Sequence, residues 1–328
     1  ALHWNKEVFE QAADTLRDAG LDPDRAPATL DELDAYAEAL NVVSEAGWVE
    51  RAGYVPMHPG WFNMHLPIWF GGRLYDQANR TLTLNTPEAL RAFTWLRSYS
   101  EGFGVKAMTE FRSGITDNSS PTDPFINGVV VMEQQGPWRA NYFNDLAPRL
   151  NAWKMSQEEA RELPLEQRRA NYAWGAAPFP SAVGHPNVTF AGFDLLTSPR
   201  GSRHKREAFE FIAYINRPEV MEKICSMHSK NSPLRVVSEE FIRDHPNPYI
   251  DVYEALASSP YSHTVPPVPI WPEVSAELSQ VAERVYLLQQ EPQAALDEAQ
   301  ERMQRKLDRF FVIDDQRKRD GAHPGDRG

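Results

Sequence analysis

The chain has 328 residues, of which 41% are hydrophobic and 24% charged, enough apolar material for two domains or one large one. Its net charge of −12 argues against a nucleic-acid partner, which requires clustered Lys and Arg. No apolar run approaches the length of a membrane span, and the single cysteine, Cys225, excludes an internal disulfide and reads as a small buried hydrophobe.

In chain order, residues 6–20 predict a helix with Val8, Phe9, Ala12 and Leu16 on one stripe, stopped by Gly20. No basic n-region or apolar h-region precedes it, so no signal peptide is visible in this chain. Thr29-Leu-Asp-Glu32 is a capping box, and Leu30, Leu33, Tyr36, Ala37 and Leu40 follow at helical spacing. Residues 42–60 read as strand and loop. The aromatic segment from Gly60 to Gly72 predicts a helix broken or kinked near Pro67. Arg80 to Leu84 alternates like a short strand, and Thr86-Pro87 caps a helix carrying Leu90, Phe93 and Leu96. Residues 112–124, rich in Ser, Asp, Asn and Pro, predict a surface loop.

The stretch Phe125-Ile-Asn-Gly-Val-Val-Val-Met-Glu-Gln-Gln-Gly-Pro-Trp138 comes next. Asn-Gly is turn chemistry, and Val129 to Met132 predicts a short buried strand. Gly136-Pro137 then ends it and delivers Trp138. Such an aromatic can wall a ligand cleft or plug a core. Residues 156–170 read as a solvated helix, and 172–180 and 189–196 as strands. Helices are expected over 201–216, from Pro218, and over about 273–290 and 293–311. Residues 313–328 read as a disordered tail. Interspersed strands and helices predict an α/β fold.

No zinc signature, Walker loop or nucleophile elbow occurs, and a metal shared by His58 and His65 is not expected. Glu133 and Asp194 are the acids nearest the aromatic turns. As a catalytic pair they would make a glycosidase-type enzyme; as acceptors they would serve the hydroxyls of a polar ligand. Nine Trp suit either a large core or a cleft for something flat and partly apolar, such as a sugar ring.

The order of several blocks resembles the sugar-binding (family 1) extracellular solute-binding proteins of ABC importers, the group that includes maltose-binding protein. The blocks are His3-Trp-Asn-Lys-Glu-Val-Phe9, Phe70-Gly-Gly-Arg-Leu-Tyr-Asp76, Phe125 to Met132 with Gly136-Pro-Trp138, Ala177-Pro-Phe-Pro180, Ala191-Gly-Phe193, Ser198-Pro-Arg-Gly-Ser202 and Pro269-Ile-Trp-Pro-Glu-Val274. The resemblance spans residues 1–311. It implies two α/β lobes of periplasmic-binding-protein type, with a ligand cleft between them. Residues 1–188 would be the first segment of the C-terminal lobe, 189–245 a return into the N-terminal lobe, and 246–312 the second C-lobe segment. The start of the N-terminal lobe has no counterpart in this chain, so 189–245 is expected to expose apolar surface.

The resemblance further implies no catalysis and no cofactor. The partners would be a saccharide and a membrane permease, the protein a monomer, and its place the periplasm or the outer face of the cytoplasmic membrane. Trp138 would stack on a sugar ring, with Trp61 at the cleft entrance and Trp271 contributed late in the chain. Gly192 would let backbone approach the ligand, beside Phe193, Asp194, Trp69 and Arg139. Trp95, Trp153 and Trp174 are assigned to the core. A glycerol-phosphate-type ligand is an alternative that would need a cationic site, with Arg139 the nearby candidate.

Overall fold

A computed structural model describes residues 1–115 and 119–319. The chain divides into two compact units, Ala1–Pro59 with Thr109–His263 and Gly60–Met108 with Thr264–Gly328.

The first unit is built on a five-stranded mixed sheet. Its strands are β1 (Leu2–Asn5), β2 (Val42–Val43), β3 (Val49–Tyr54), β4 (Val130–Gln134) and β5 (Trp174–Ala177), in the order β2-β3-β4-β1-β5. β3 runs parallel to β4, whereas β1 is antiparallel to both β4 and β5. β4 extends two residues beyond the expected Met132 and is buried throughout. A strand covered on both faces explains its near-continuous apolar run. It also forces Glu133 inside, opposite His3 of β1. One face of the sheet carries an aromatic core in which Phe125, Phe143, Trp174 and Tyr249 meet.

The expected helix over 6–20 is two short helices, Lys6–Gln11 and Ala13–Asp18, separated at Ala12. Asn5 caps the first, its Oδ1 accepting from the Val8 amide. Thr29 caps Leu30–Leu40 as the sequence indicates. Part of the loop expected over 112–124 is helical, because Val105–Gly114 continues past Arg112. Helices Glu239–Asp244 and Ile250–Ala257, hidden in the sequence by Pro and Asn interruptions, contribute Phe241, Ile250, Tyr253 and Leu256 to the core.

Beyond β5 the character changes. The strand expected over 189–196 is reduced to Thr189–Phe190, paired in parallel with Ser262–His263. The helix Lys205–Ile215 forms where the pattern predicts, but buries none of its residues. Phe193, Leu195, Phe209, Phe211, Met227 and Val236 all lie exposed. Their helical and strand periodicity has no facing layer among the described residues.

The second unit is helical. Asn63–Phe70 is a 3-10 helix containing Pro67 and closed by Gly71 in the left-handed region, φ 87°, the conformation glycine adopts without a Cβ clash. Thr86 caps Pro87–Phe103, whose Ala89, Ala92, Phe93 and Leu96 are buried. Trp271–Tyr286 and Pro292–Arg319 complete the unit. Burying each Leu, Val or Phe here contributes about 1.5–3 kcal/mol. Gln300 and Gln304 lend their amides to the backbone of Leu82 and Leu84, at 2.7–2.8 Å, so a helix face completes an otherwise open strand edge. The last helix runs to Arg319, seven residues into the tail expected to be disordered. The rest of that tail lies outside the described residues.

Candidate functional site

In the first unit the site grows from the end of β4. Gly136 and Pro137 turn the chain, and Trp138 opens the helix Arg139–Leu146. The half-buried indole packs closely against Gly136. A β-carbon placed on Gly136 would come within 2.1 Å of the ring atoms Cη2 and Cζ3. Only glycine leaves room for this packing, which orients the remaining ring surface. Asn247 donates to the Pro137 carbonyl at 3.0 Å and secures the other side of the turn.

Around the ring stand residues the sequence reading did not select. The turn His228–Lys230 is tied to the Trp138 helix at Asn141, whose amide donates to the His228 carbonyl at 2.9 Å. The Ser229 hydroxyl donates to Asn141 Oδ1 at 2.7 Å. Ser229 has φ 51°, a left-handed conformation that costs a non-glycine residue about 1 kcal/mol or more. It ends the helix Pro218–Met227 and aims Lys230 so that its Nζ lies 5.9 Å from the centre of the Trp138 ring. The same ammonium donates to Asp194 Oδ2 at 2.6 Å. That hydrogen bond lowers the Asp194 pKa below its ordinary value. Trp138 and Asp194 are therefore brought together, through Lys230. A non-glycine residue at a helix end is not a sequence signal without φ, which is why Lys230 escaped notice.

Phe193 is exposed beside this pair in sequence. Gly192 has no positive φ, and a β-carbon there would meet only Phe190 Cε1 at 3.6 Å. Nothing among the described residues requires glycine at this position.

Arg139 corrects an expectation. Its guanidinium, expected near the ligand and named as the candidate cation for a phosphate, is completely buried. Nη2 donates to both Asp123 oxygens at 2.8 Å, and Nε donates to Glu133 Oε1 at 2.6 Å. It also lies over the Phe143 ring at 4.9 Å. Burial opposes its charge, but the two carboxylates outweigh burial and hold its pKa above the ordinary value. A cation so committed cannot also bind a solute.

Glu133 is equally buried. Burial pushes its pKa up to about 7, against the pull of Arg139 and with the push of Asp123. Its second oxygen lies 3.8 Å from His58 Nε2, and neither atom has a hydrogen-bond partner among the described residues. Glu133 thus answers to Arg139 and His58, while the exposed Asp194 answers to Lys230. The two acids share neither partner nor environment, unlike the paired carboxylates of glycoside hydrolysis.

The second unit holds the remaining aromatics. Trp271 is half-buried and stacks on His65, centroids 5.4 Å apart at 20°. Burial lowers the His65 pKa to about 4, so a neutral imidazole backs the indole. Trp61 is exposed over 44% of its surface. Trp69 corrects a second expectation: it is buried in the hydrophobic interior of this unit and presents no stacking face. Among the described residues, no group of three or more His, Cys, Asp or Glu is placed to hold a metal, and no helix is long and apolar enough to cross a membrane. His58 and His65 fall in different units.

Comparison with known proteins adds relatives. The chain is 23% identical over 340 residues to the sn-glycerol-3-phosphate-binding periplasmic protein of Pectobacterium atrosepticum, covering 94% of this chain and 64% of that one. It is 22% identical over 308 residues to a Brucella abortus protein named for binding without a stated ligand, covering 91% and 63%. It spans somewhat less than two thirds of the length of these relatives. Among solved structures, a mannobiose-bound binding protein, CpMnBP1, superposes with a TM-score of 0.69 at 24% identity, covering 91% of this chain and 68% of that one. The sugar-binding protein MalE of Xanthomonas citri gives 0.63 at 18%, covering 96% and 70%. These likenesses identify the fold as that of the two-lobe solute-binding proteins. The family model described as bacterial extracellular solute-binding protein, a family of binding proteins rather than enzymes, matches residues 1–241, and the chain belongs to that family.

Proposed function

We propose that this protein captures a sugar or oligosaccharide outside the cytoplasmic membrane and delivers it to an ABC-importer permease. The observation that carries the reading is the arrangement at Trp138. A flat indole face, held at a glycine, stands beside an ammonium and a carboxylate that are already paired. A sugar ring presents an apolar C–H face to an aromatic and hydroxyls to fixed donors and acceptors. Lys230 and Asp194 supply one of each, and their mutual neutralisation favours an uncharged ligand. Trp61, Trp271, Phe193 and Gly192 are proposed as further ligand-binding residues.

The lobe assignment belongs to the same proposal. Residues 1–188 and 246–312 would form the C-terminal lobe, and 189–245 a return segment of the other lobe. The exposed apolar side chains of 193–236 support this, since an amphipathic helix with no buried face is built to pack on a sheet. The protein would act as a monomer in the periplasm or at the outer face of the cytoplasmic membrane, without a cofactor or nucleic acid. Ligand would shift an open–closed equilibrium that the permease reads.

A second reading has its own support. Lys230 is a cation at the indole, and several relatives are named for binding sn-glycerol-3-phosphate. Calorimetry with mannobiose, maltotetraose and sn-glycerol-3-phosphate separates the two. The first reading expects saccharide binding that Trp138→Ala abolishes. Failure of every saccharide to bind would sink it. Glycerol phosphate binding that depends on Lys230 rather than on Trp138 would establish the second.

A further inference from the structure

Four buried polar groups gather behind Trp138 in the first unit. Asp123 comes from the loop before β4, Glu133 from β4 itself, Arg139 from the helix that Trp138 opens, and His58 from the chain after β3. All are buried, and the Arg139 guanidinium lies within 2.6–2.8 Å of both carboxylates. Arg139 immediately follows Trp138. Its guanidinium is gripped from one side by the loop and from the other by the strand. The backbone between Glu133 and Arg139 is therefore bound at both ends, and Trp138 is carried on the closed turn.

We infer that Asp123, Glu133 and Arg139 form a clamp that positions the Trp138 ring for its ligand, and that a proton exchanged with solvent at Glu133 changes the grip of that clamp. The inference rests on the saccharide reading only for what the ring contacts, not for the clamp itself.

Charge and hydrogen bonding lead to the same conclusion. With Glu133 ionised, one buried cation faces two carboxylates, and the cluster carries a net negative charge in the buried interior. With Glu133 protonated, the cluster is neutral. The proton taken from solvent onto Glu133 Oε2 then has an acceptor, because His58 Nε2 lies 3.8 Å away without a partner among the described residues. A small approach closes that gap, and two otherwise orphaned buried atoms satisfy each other. His58 can accept because burial lowers its pKa to about 4 and keeps it neutral; Arg112 and Arg139 also act against its charge, while Asp123 favours it. The other groups facing Glu133 are Gln135, Tyr253 and, across the strand pair, His3, whose pKa burial lowers well below its ordinary value. Gln135 lies near enough to lower the Glu133 pKa, yet its amide lacks hydrogen-bond geometry to any partner. Tyr253, whose hydroxyl is hydrogen-bonded to His3, is held far above its ordinary pKa by burial and stays neutral. Glu133 is thus the member of the cluster that changes charge near neutral pH.

The test uses 5-fluorotryptophan incorporation, with the Trp138 resonance identified by its loss in Trp138→Phe. Between pH 5.5 and 8.5 this resonance is expected to shift in one step, with a midpoint near 7, while that of the exposed Trp48 stays still. Glu133→Gln should flatten the profile. Asp123→Asn removes the competing negative charge, so the step should move to lower pH. That second variant decides the matter if Glu133→Gln fails to fold. His228 belongs to the turn tied to Asn141 of the Trp138 helix, and His228→Gln should leave the step in place. A resonance flat in the wild type, a step unmoved by Asp123→Asn, or a step lost in His228→Gln and kept in Glu133→Gln overturns the clamp. Mannobiose titrations across the same range are read separately. Affinity following the step by roughly tenfold joins clamp to ligand. A resonance step without mannobiose binding leaves the clamp standing and defeats the saccharide reading instead.

Discussion

Replacing Gly136 by alanine isolates the packing that orients the candidate ligand surface. The new methyl would lie 2.1 Å from two carbons of the Trp138 ring and 2.5 Å from a third. Carbon atoms in contact sit about 3.5–4.0 Å apart, so the ring must withdraw by roughly 1.5 Å or swing out. The backbone is not at issue, because Gly136 is not among the glycines with positive φ. Overpacking of this kind costs about 1–3 kcal/mol when the neighbour is held, and less when it escapes to solvent. Trp138 is half-buried and can escape, so the expected loss of stability is at the low end, about 1 kcal/mol. The ligand effect should be of similar size. Losing a stacked geometry forfeits about 0.5–1.5 kcal/mol beyond area, a weakening of roughly two- to twelvefold. Thermal unfolding and calorimetry with mannobiose read the two quantities, and the fluorotryptophan resonance reads the ring. If Gly136→Ala left resonance, stability and affinity unchanged, the Trp138 ring would not be seated against Gly136.

Other outcomes follow from the same structure. The folded pKa of Glu133, about 7, lies above its ordinary 4.5, so the native state holds this proton more tightly than the unfolded chain. Its stability contribution is fully present below about pH 4.5 and is lost as pH rises through 7. Wild type minus Glu133→Gln stability should therefore fall across that window, by a few kcal/mol in order of magnitude; a difference flat with pH would contradict it. Burial depresses His58, His65 and His245 to about 4. Their contributions are present above about pH 6.5 and are lost as pH falls toward 4, so denaturant titrations should show the whole protein weakening on acidification below 6.5. Cys225 is buried and its thiol is pushed up by burial, so a thiol reagent should react with it only at the rate of unfolding; rapid labelling of the native protein would be the contrary result. Changing exposed Phe209 and Phe211 to Ser should reduce binding of an apolar dye while altering stability by no more than about 0.5 kcal/mol.

Much of the fold was legible locally. The caps at Thr29 and Thr86, the apolar run of β4 and the Gly136-Pro137 break all act through neighbouring residues, and each appears where the sequence places it. The misses have a common cause. The helix over 250–257 follows directly on the Asn247-Pro248 break, and its Tyr253 is hydrogen-bonded to His3, 250 positions away. The strand expected over 189–196 had the composition but not the neighbour, and only its first two residues pair. Pairing is decided by what lies alongside, which periodicity does not record.

For the site the division is sharper. The ordered blocks and the position of Trp138 after a Gly-Pro turn were sufficient to indicate the family and a candidate aromatic. Sequence also nominated Arg139, and there tertiary structure reversed its role: two carboxylates, 16 and 6 positions upstream, consume its charge inside the protein. Lys230 was invisible for the opposite reason, since its approach to Trp138 depends on a left-handed Ser229 and on Asn141, ninety positions away in the chain at most. Local chemistry is written in adjacent residues. Which charges are spent in the interior and which are left to meet a ligand depends on distances that only the folded chain defines.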